Sequence, residues 1–250
     1  MTATGARTMH VEHCMGTVFS IDIRDAGDWT DAVGAVVRWL HHVDAVFSTY
    51  RPDSDISRMR RGELRLLDAD PDVHRVLAHC ADAQLTTGGR FTGMPGGRLD
   101  PTGLVKGWAV EQASGKLCGH GADNHAVNGG GDVQLAGEAA PGLPWAVGLV
   151  DPHDRSRVLR TVAGRNFAVA SSGTVERGAH IIDPFTDGPA TGPAGVTVTG
   201  PSLTFADAYA TAAFVMGADA LTWIDSVPDY AALLIATDGT VRTSSRWPSG

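Results

Sequence analysis

Two stretches of this sequence place side chains where they could handle a charged phosphate. In Leu99-Asp-Pro-Thr-Gly-Leu-Val-Lys-Gly-Trp108, the Asp100-Pro-Thr segment reads as a turn and a helix start. The aspartate can cap, proline pre-sets the first helical φ, and apolar positions recur from Leu104 through Val110 to Leu117. A helix N-terminus presents unpaired N–H groups and the positive end of its dipole, which suits an anion. Lys106 falls in the first turns, within reach of the same anion, and Gly103 permits close backbone approach. The second stretch, Phe205-Ala-Asp-Ala-Tyr-Ala-Thr-Ala-Ala-Phe-Val-Met-Gly217, reads as an almost wholly apolar helix. Its Asp207 and Thr211 are four residues apart and share one face. A carboxylate in such a helix needs partners, because an unpaired buried charge is costly. Oxygen ligands of this kind suit Mg²⁺, which keeps waters and takes substrate phosphates into its shell. The alternative is that Asp207 caps or bonds a neighbouring loop.

Two further segments carry weaker signals. Ala170-Ser-Ser-Gly-Thr174 ends a strand in small hydroxyl residues, either ligand donors or a simple turn. In His180-Ile-Ile-Asp-Pro184, strand alternation puts His180 and Ile182 on one side and Ile181 and Asp183 on the other. Ser172, His180 and Asp183 supply the inventory of a hydrolytic triad, but no nucleophile-elbow pattern surrounds the serine. Gly129-Gly-Gly-Asp132 lacks the spacing and the strand–turn–helix setting of a dinucleotide fingerprint.

The elements that must position these groups follow from local pattern. Cys14 to Arg24 alternates and reads as a strand. Asp28 can cap a helix through Phe47, with Ala32, Val33, Val36, Val37, Leu40 and Val43 inward and His41 and His42 at solvent or the core edge. A turn-rich loop, Phe47 to Ile56, follows. Asp70-Pro71 starts a helix that ends at Thr87-Gly-Gly89. Arg90 to Gly97 is flexible in composition. After the helix that begins near Asp100, strands are expected from His125 into the glycine turn and over 133–136, 145–150, 158–162 and 166–170. Helices and strands come in unequal blocks without regular βα alternation. The expected fold is α+β, a largely antiparallel mixed sheet with packed helices and a ligand cleft, in one domain over residues 1–250.

Composition narrows the function classes. The chain has 250 residues, 43% of them hydrophobic, enough for a sizeable core. A net charge of −8 without a basic cluster argues against nucleic-acid binding. Cys14, Cys80 and Cys118 form neither a disulfide framework nor a zinc pattern and are expected reduced, in or near the core. The residues before Cys14 lack an apolar run, so no lipoprotein anchor or signal peptide is expected there. No stretch approaches a transmembrane span. A cytoplasmic protein is the expectation.

Taken in order, the motifs resemble the ApbE family of FAD:protein FMN transferases. They are Met15-Gly-Thr17, Phe47-Ser-Thr-Tyr50 with Ser54, the Asp100 to Gly107 segment, Val127-Asn-Gly-Gly-Gly-Asp132, Ser171-Ser-Gly173 with Glu176-Arg177, His180 to Pro184, and Ala206 to Thr211 with Gly217. The resemblance is strongest over residues 15–219. It implies that FAD binds in a cleft with Mg²⁺ on its pyrophosphate, and that FMN passes to a threonine or serine of an acceptor protein with release of AMP. It places Met15, Tyr50, Phe91, Thr92, Gly93, Asp100, Lys106, His180 and Ile182 at flavin-nucleotide contacts. It makes Asp207 and Thr211 metal ligands, with backbone carbonyls at Gly103 and Ala210 completing the shell, and His180 the group that activates the acceptor hydroxyl. The sequence departs from the family pattern at Thr92 (usually Asp), Thr174-Val175 (usually Asp-Tyr), Pro184-Phe-Thr-Asp187 (usually Pro-Arg-Thr-Gly) and Ala210 (Asp in some relatives). These departures touch acceptor recognition and turnover more than FAD binding. Two other readings compete: an FAD pyrophosphatase yielding FMN and AMP, and a non-catalytic flavin carrier.

Overall fold

The computed structural model describes residues 7–173 and 181–248. Its first element departs from expectation. The alternating run over 14–24 is not one strand but the second arm of a hairpin, β1 (Thr8–Cys14) and β2 (Thr17–Ile23), folded at Met15-Gly16. Both turn residues have positive φ, +50° at Met15 and +67° at Gly16, the backbone handedness that tight hairpins require. β1 escapes pattern reading because it inverts the usual alternation: Met9 and Val11 are exposed while His10 and Glu12 are half-buried.

The chain continues through α1 (Thr30–Phe47), α2 (Asp55–Arg60), α3 (Pro71–Thr86) and α4 (Thr102–Gly119). Asp28 stands one residue outside the α1 cap and accepts from the Thr30 N–H and hydroxyl at 3.0 and 2.7 Å. The loop expected to run through Ile56 gives way at residue 55 to α2, capped by Ser54, which accepts the Ser57 N–H. Asp70 caps α3 as expected, accepting the Asp72 N–H at 2.8 Å. Strands β3 (His125–Gly129), β4 (Asp132–Ala136), β5 (Trp145–Val150), β6 (Val158–Gly164) and β7 (Ala168–Gly173) follow. Then come β8 (Ile182–Asp183), β9 (Gly188–Pro189), β10 (Gly195–Gly200), α5 (Leu203–Met216), α6 (Ala220–Ile224), β11 (Ala231–Ile235) and β12 (Val241–Thr243).

The fold is α+β. Among the described residues, eight strands form one antiparallel sheet in the order β1-β2-β3-β4-β7-β10-β11-β12, and β5–β6 and β8–β9 are separate hairpins. Alternation along β7 and β10 divides the sheet into two faces. Ala168, Ala170, Val196 and Val198 join the helices in the main core, whereas Val169, Ala194, Leu233 and Ile235 pack with Leu149 and Val162 of the β5–β6 hairpin. The helix layer centres on α4 and α5; α5 is buried nearly all round, as its apolar composition dictates, whereas α4 buries one face and leaves Gln112, Gly115 and Cys118 exposed. They cross at Gly107. A Cβ there would lie 2.6 Å from the Leu203 carbonyl oxygen and 2.8 Å from Asp207 Cβ, so only glycine lets these backbones meet.

Of the cysteines, Cys14 and Cys80 are buried, but Cys118 is exposed near the end of α4. No helix among the described residues is long and apolar enough to cross a membrane.

Candidate active site at the α4–α5 crossing

The close approach at Gly107 brings two helices' polar groups together inside an apolar layer. Asp207 Oδ2 accepts the Gly107 N–H at 3.0 Å and lies 3.3 Å from Lys106 Nζ. Lys106 also pairs with Asp132, at the start of β4. The Asp132 side chain is 2% exposed, that of Asp207 8% and that of Lys106 24%. Asp132 is delivered by the tight turn between β3 and β4, where Gly130 and Gly131 have φ of +61° and +99°. Its Oδ1 accepts the Ser171 N–H at 3.0 Å, tying the cluster to β7. One turn along α5 from Asp207, Thr211 Oγ1 lies 3.4 Å from Ser172 Oγ. Two buried carboxylates against one ammonium leave one negative charge over. With two hydroxyls alongside, this is an oxygen-rich set suited to a hard cation.

Next to this cluster, the start of α4 is tied to the 90–97 segment. Asp100 Oδ1 accepts the Thr102 N–H and hydroxyl at 3.2 and 2.6 Å, its N–H donates to the Gly93 carbonyl at 2.8 Å, and its Oδ2 pairs with Arg60 at 2.7 Å. Gly103 sits beneath the buried Phe91 ring, where an added Cβ would be 3.4 Å from Phe91 Cε2. Thr92 is half-buried, and its hydroxyl accepts the Met94 N–H at 3.1 Å. Gly93 is packed against Cys80.

The remaining expected contacts lie on other elements. Met15 is half-buried against the core in the first hairpin turn, and Tyr50, 97% exposed, projects from the segment after α1. Ile182 is half-buried in β8. Ala210 has its methyl group fully buried within α5. His180, Glu176, Arg177 and the Thr174-Val175 departure lie outside the described residues. Asp183 caps its own turn by accepting the Phe185 N–H at 2.9 Å. Cys14, beside Met15, is no nucleophile: burial pushes its thiol up to about 11, and its sulfur donates to the Leu40 carbonyl.

A family model described as the ApbE family matches residues 15–94 and 92–234. The chain belongs to the ApbE family. Curated relatives named FAD:protein FMN transferase include that of Treponema pallidum, 34% identical over 169 residues (60% of this chain and 47% of the relative). That of Vibrio cholerae is 33% identical over 129 residues, 48% of this chain and 39% of the relative. The chain thus spans less than half the length of these curated relatives. Among solved structures, an ApbE protein from Thermotoga maritima superposes with a TM-score of 0.85 at 21% identity, over 96% of this chain and 97% of that one. The flavin transferase ApbE from Vibrio cholerae gives 0.80 at 22% identity, over 96% and 97%. These structures establish the ApbE fold for this chain.

Sequence reasoning names Lys106, Asp207 and Thr211 as site residues, and the fold brings them together. It leaves two participants outside its set of site residues: Asp132, present only as the last letter of a glycine motif, and Arg60, the partner of Asp100. A lone acid directly after a Gly-Gly-Gly turn at a strand start was the available signal for Asp132.

Proposed function

We propose that this ApbE-family chain is an Mg²⁺-dependent FAD:protein FMN transferase. It breaks the FAD pyrophosphate, forms a phosphoester between FMN and a threonine or serine of an acceptor protein, and releases AMP. The observation that carries this reading is the buried Lys106–Asp132–Asp207 triangle at the α4–α5 crossing, in a family whose curated members are named for that transfer. The unbalanced negative charge and the hydroxyl of Thr211 fit Mg²⁺. Asp207 and Thr211 would hold it, with the Gly103 and Ala210 carbonyls as further donors. Bound there, Mg²⁺ would supply charge neutralisation for the pyrophosphate.

The chain's own groups carry the rest. Phosphoryl transfer asks a protein for positioning and charge neutralisation more than for covalent chemistry. Lys106 brings a cation to the pyrophosphate, and the positive end of the α4 dipole adds to it. Arg60 holds Asp100 in place, and through it the 93–100 loop. Met15, Tyr50, Phe91, Thr92, Gly93 and Ile182 are assigned to the flavin nucleotide. His180 is assigned as the base that takes the proton of the acceptor hydroxyl.

The test is chromatographic. The purified chain is incubated with FAD and Mg²⁺, with an EDTA control, and flavins and AMP are separated. Mg²⁺-dependent AMP supports the reading, and transfer of flavin label to protein rather than water separates transferase from pyrophosphatase. Tight FAD binding with no AMP, even when acceptor is supplied, would leave a flavin carrier and overturn it.

A further inference from the structure

The eight-stranded sheet ends in two unlike edges. β12 closes one side with three residues, too short to template a further strand. β1 closes the other with seven residues, Thr8–Cys14, in unbroken register with β2 and without bulge, proline or lysine. Cys14 and Thr17 flank a two-residue turn, so they form a hydrogen-bonded pair, and alternation gives Glu12, His10 and Thr8 the same pairing with β2. The N–H and C=O groups of Met9, Val11 and His13 therefore point away from β2, and no strand among the described residues lies beyond them. The Met9 and Val11 side chains are 56% and 54% exposed, and Val18, across from His13 on β2, extends the apolar patch on that face.

On the other face of β1, Glu12 gathers two histidines: His10 Nε2 lies 3.3 Å and His41 Nε2 2.9 Å from its carboxylate oxygens. Inward-facing charges on an edge strand ordinarily repel an incoming strand, because they meet no mate on it. Here the acid and the base stand two residues apart with Val11 between them. That spacing makes the strand complementary to itself.

We propose that two copies of this chain join their sheets edge to edge through β1, antiparallel about a two-fold axis at Val11. Val11 then faces Val11 of the second copy, Met9 faces His13, His10 faces Glu12 and Thr8 faces Cys14. Met9, Val11 and His13 fall in hydrogen-bonded pairs, which is where the free N–H and C=O groups stand. His10 and Glu12 fall in non-hydrogen-bonded pairs, where side chains approach closest, and the symmetry makes that His–Glu pair twice. Other registers lose this match. Alternation puts the axis at a residue, since a slip of one would bring core-facing side chains against solvent-facing ones. An axis at Glu12 would oppose two carboxylates, and one at His10 would oppose two imidazoles and leave Glu12 against Thr8. On the exposed face, Met9 and Val11 of both copies merge into one apolar strip bordered by the two Val18 side chains. The pairing is independent of the transferase reading.

The test is the mass of the full chain in solution, by sedimentation velocity over a concentration series, with amide hydrogen exchange at both ends of the series. Val11→Lys sets two ammonium groups against each other at the axis. His10→Glu sets carboxylate against carboxylate, whereas His10→Lys keeps opposite charges facing. Val158→Lys, at a 58% exposed site on β6, is the control away from β1. Melting at the lowest concentration reports whether each monomer stays folded. The proposal expects a dimer in the wild type, with His10→Lys and Val158→Lys within about threefold of its dissociation constant. Val11→Lys and His10→Glu should associate at least about tenfold more weakly. The Met9, Val11 and His13 amides should exchange at least about tenfold more slowly in the dimer, while those of His10 and Glu12, already bonded to β2, change less. A monomer at every concentration, or species growing beyond a dimer, would overturn the proposal, since a two-fold contact closes on itself. So would equal weakening by Val158→Lys, equal behaviour of His10→Glu and His10→Lys, or unchanged exchange at the three amides.

Discussion

Two clusters of acids around a base among the described residues invite a cation, and they are not alike. At the junction of α1 and α3, His42 Nε2 lies 3.2 Å from Asp72 Oδ2 and 3.7 Å from Asp70 Oδ2. At the α4–α5 crossing, Lys106 stands between Asp132 and Asp207. The first group is internally satisfied. Arg75 donates to Asp72 at 2.6 Å, Asp70 caps α3, and the His42 side chain is 39% exposed. The positive end of the α3 dipole offsets the acids further and disfavours a second cation. At the crossing, burial removes water, and two carboxylates face one ammonium. Ligand-type residues in proximity are common to both; an uncompensated charge in a dry place marks only the second.

The largest way to test that contrast is Asp207→Ala, which removes the carboxylate shared by Gly107, Lys106 and the assigned cation. Mg²⁺-dependent AMP release should fall at least about a hundredfold, while Asp72→Ala leaves it unchanged; equal losses in the two variants would erase the distinction. Next, Lys106→Met strands two buried carboxylates and should cost about 3–5 kcal/mol of stability in denaturant unfolding. Pairing it with Asp132→Asn should return part of that loss, a coupling that a double-mutant cycle reads directly. Gly107→Ala must push the two helix backbones apart and should cost roughly 1–3 kcal/mol, with the melting temperature falling accordingly. The pH dependence gives a smaller effect. His125 is fully buried between Ser114 Oγ, at 2.7 Å, and the Ala122 carbonyl, and burial holds its pKa below 6.5. Between that lowered pKa and 6.5 the unfolded chain binds the extra proton, so stability is full above 6.5 and is lost as the pH falls below it. His125→Gln should flatten that slope in urea titrations at stepped pH. Least of all, His42→Ala should change stability by less than about 1 kcal/mol, the scale of an exposed ion pair; a larger loss would show that group to be more than surface pairing.

The same contrast explains what the sequence could reveal. α4 and α5 were legible because proline, cap and apolar period are local signals, and Asp207 with Thr211 follows from the i, i+4 geometry of one helix. α3 was legible for the same reason, down to its Asp70 cap. The Asp132 partnership was not, since it joins a strand start to two helices far off in sequence, and no local period records which glycine turn abuts which helix. Asp100 shows the other limit. Its place at the helix start could be read, although Pro101 is the cap residue and Asp100 stands one position before it, and Arg60 came from a short helix hidden in a turn-rich segment. β1 was missed because its apolar side chains face outward, and pattern reading assigns exposed positions to polar residues. Strands β10 to β12 carried no motif to draw attention to them, yet β10 supplies Thr197, which partners Ser171.

The central claim is that the crossing, not the surface triad, is the cation-binding pole of the nucleotide site. Mn²⁺, as a paramagnetic substitute for Mg²⁺, tests it most directly when titrated with FAD into wild type, Asp207→Ala and the double variant Asp70→Asn/Asp72→Asn, free ion being read by electron paramagnetic resonance. The account predicts stoichiometric FAD-dependent Mn²⁺ uptake in the wild type and in the double variant, and its loss in Asp207→Ala. Uptake retained without the Asp207 carboxylate, or lost with the α3 pair, would contradict it.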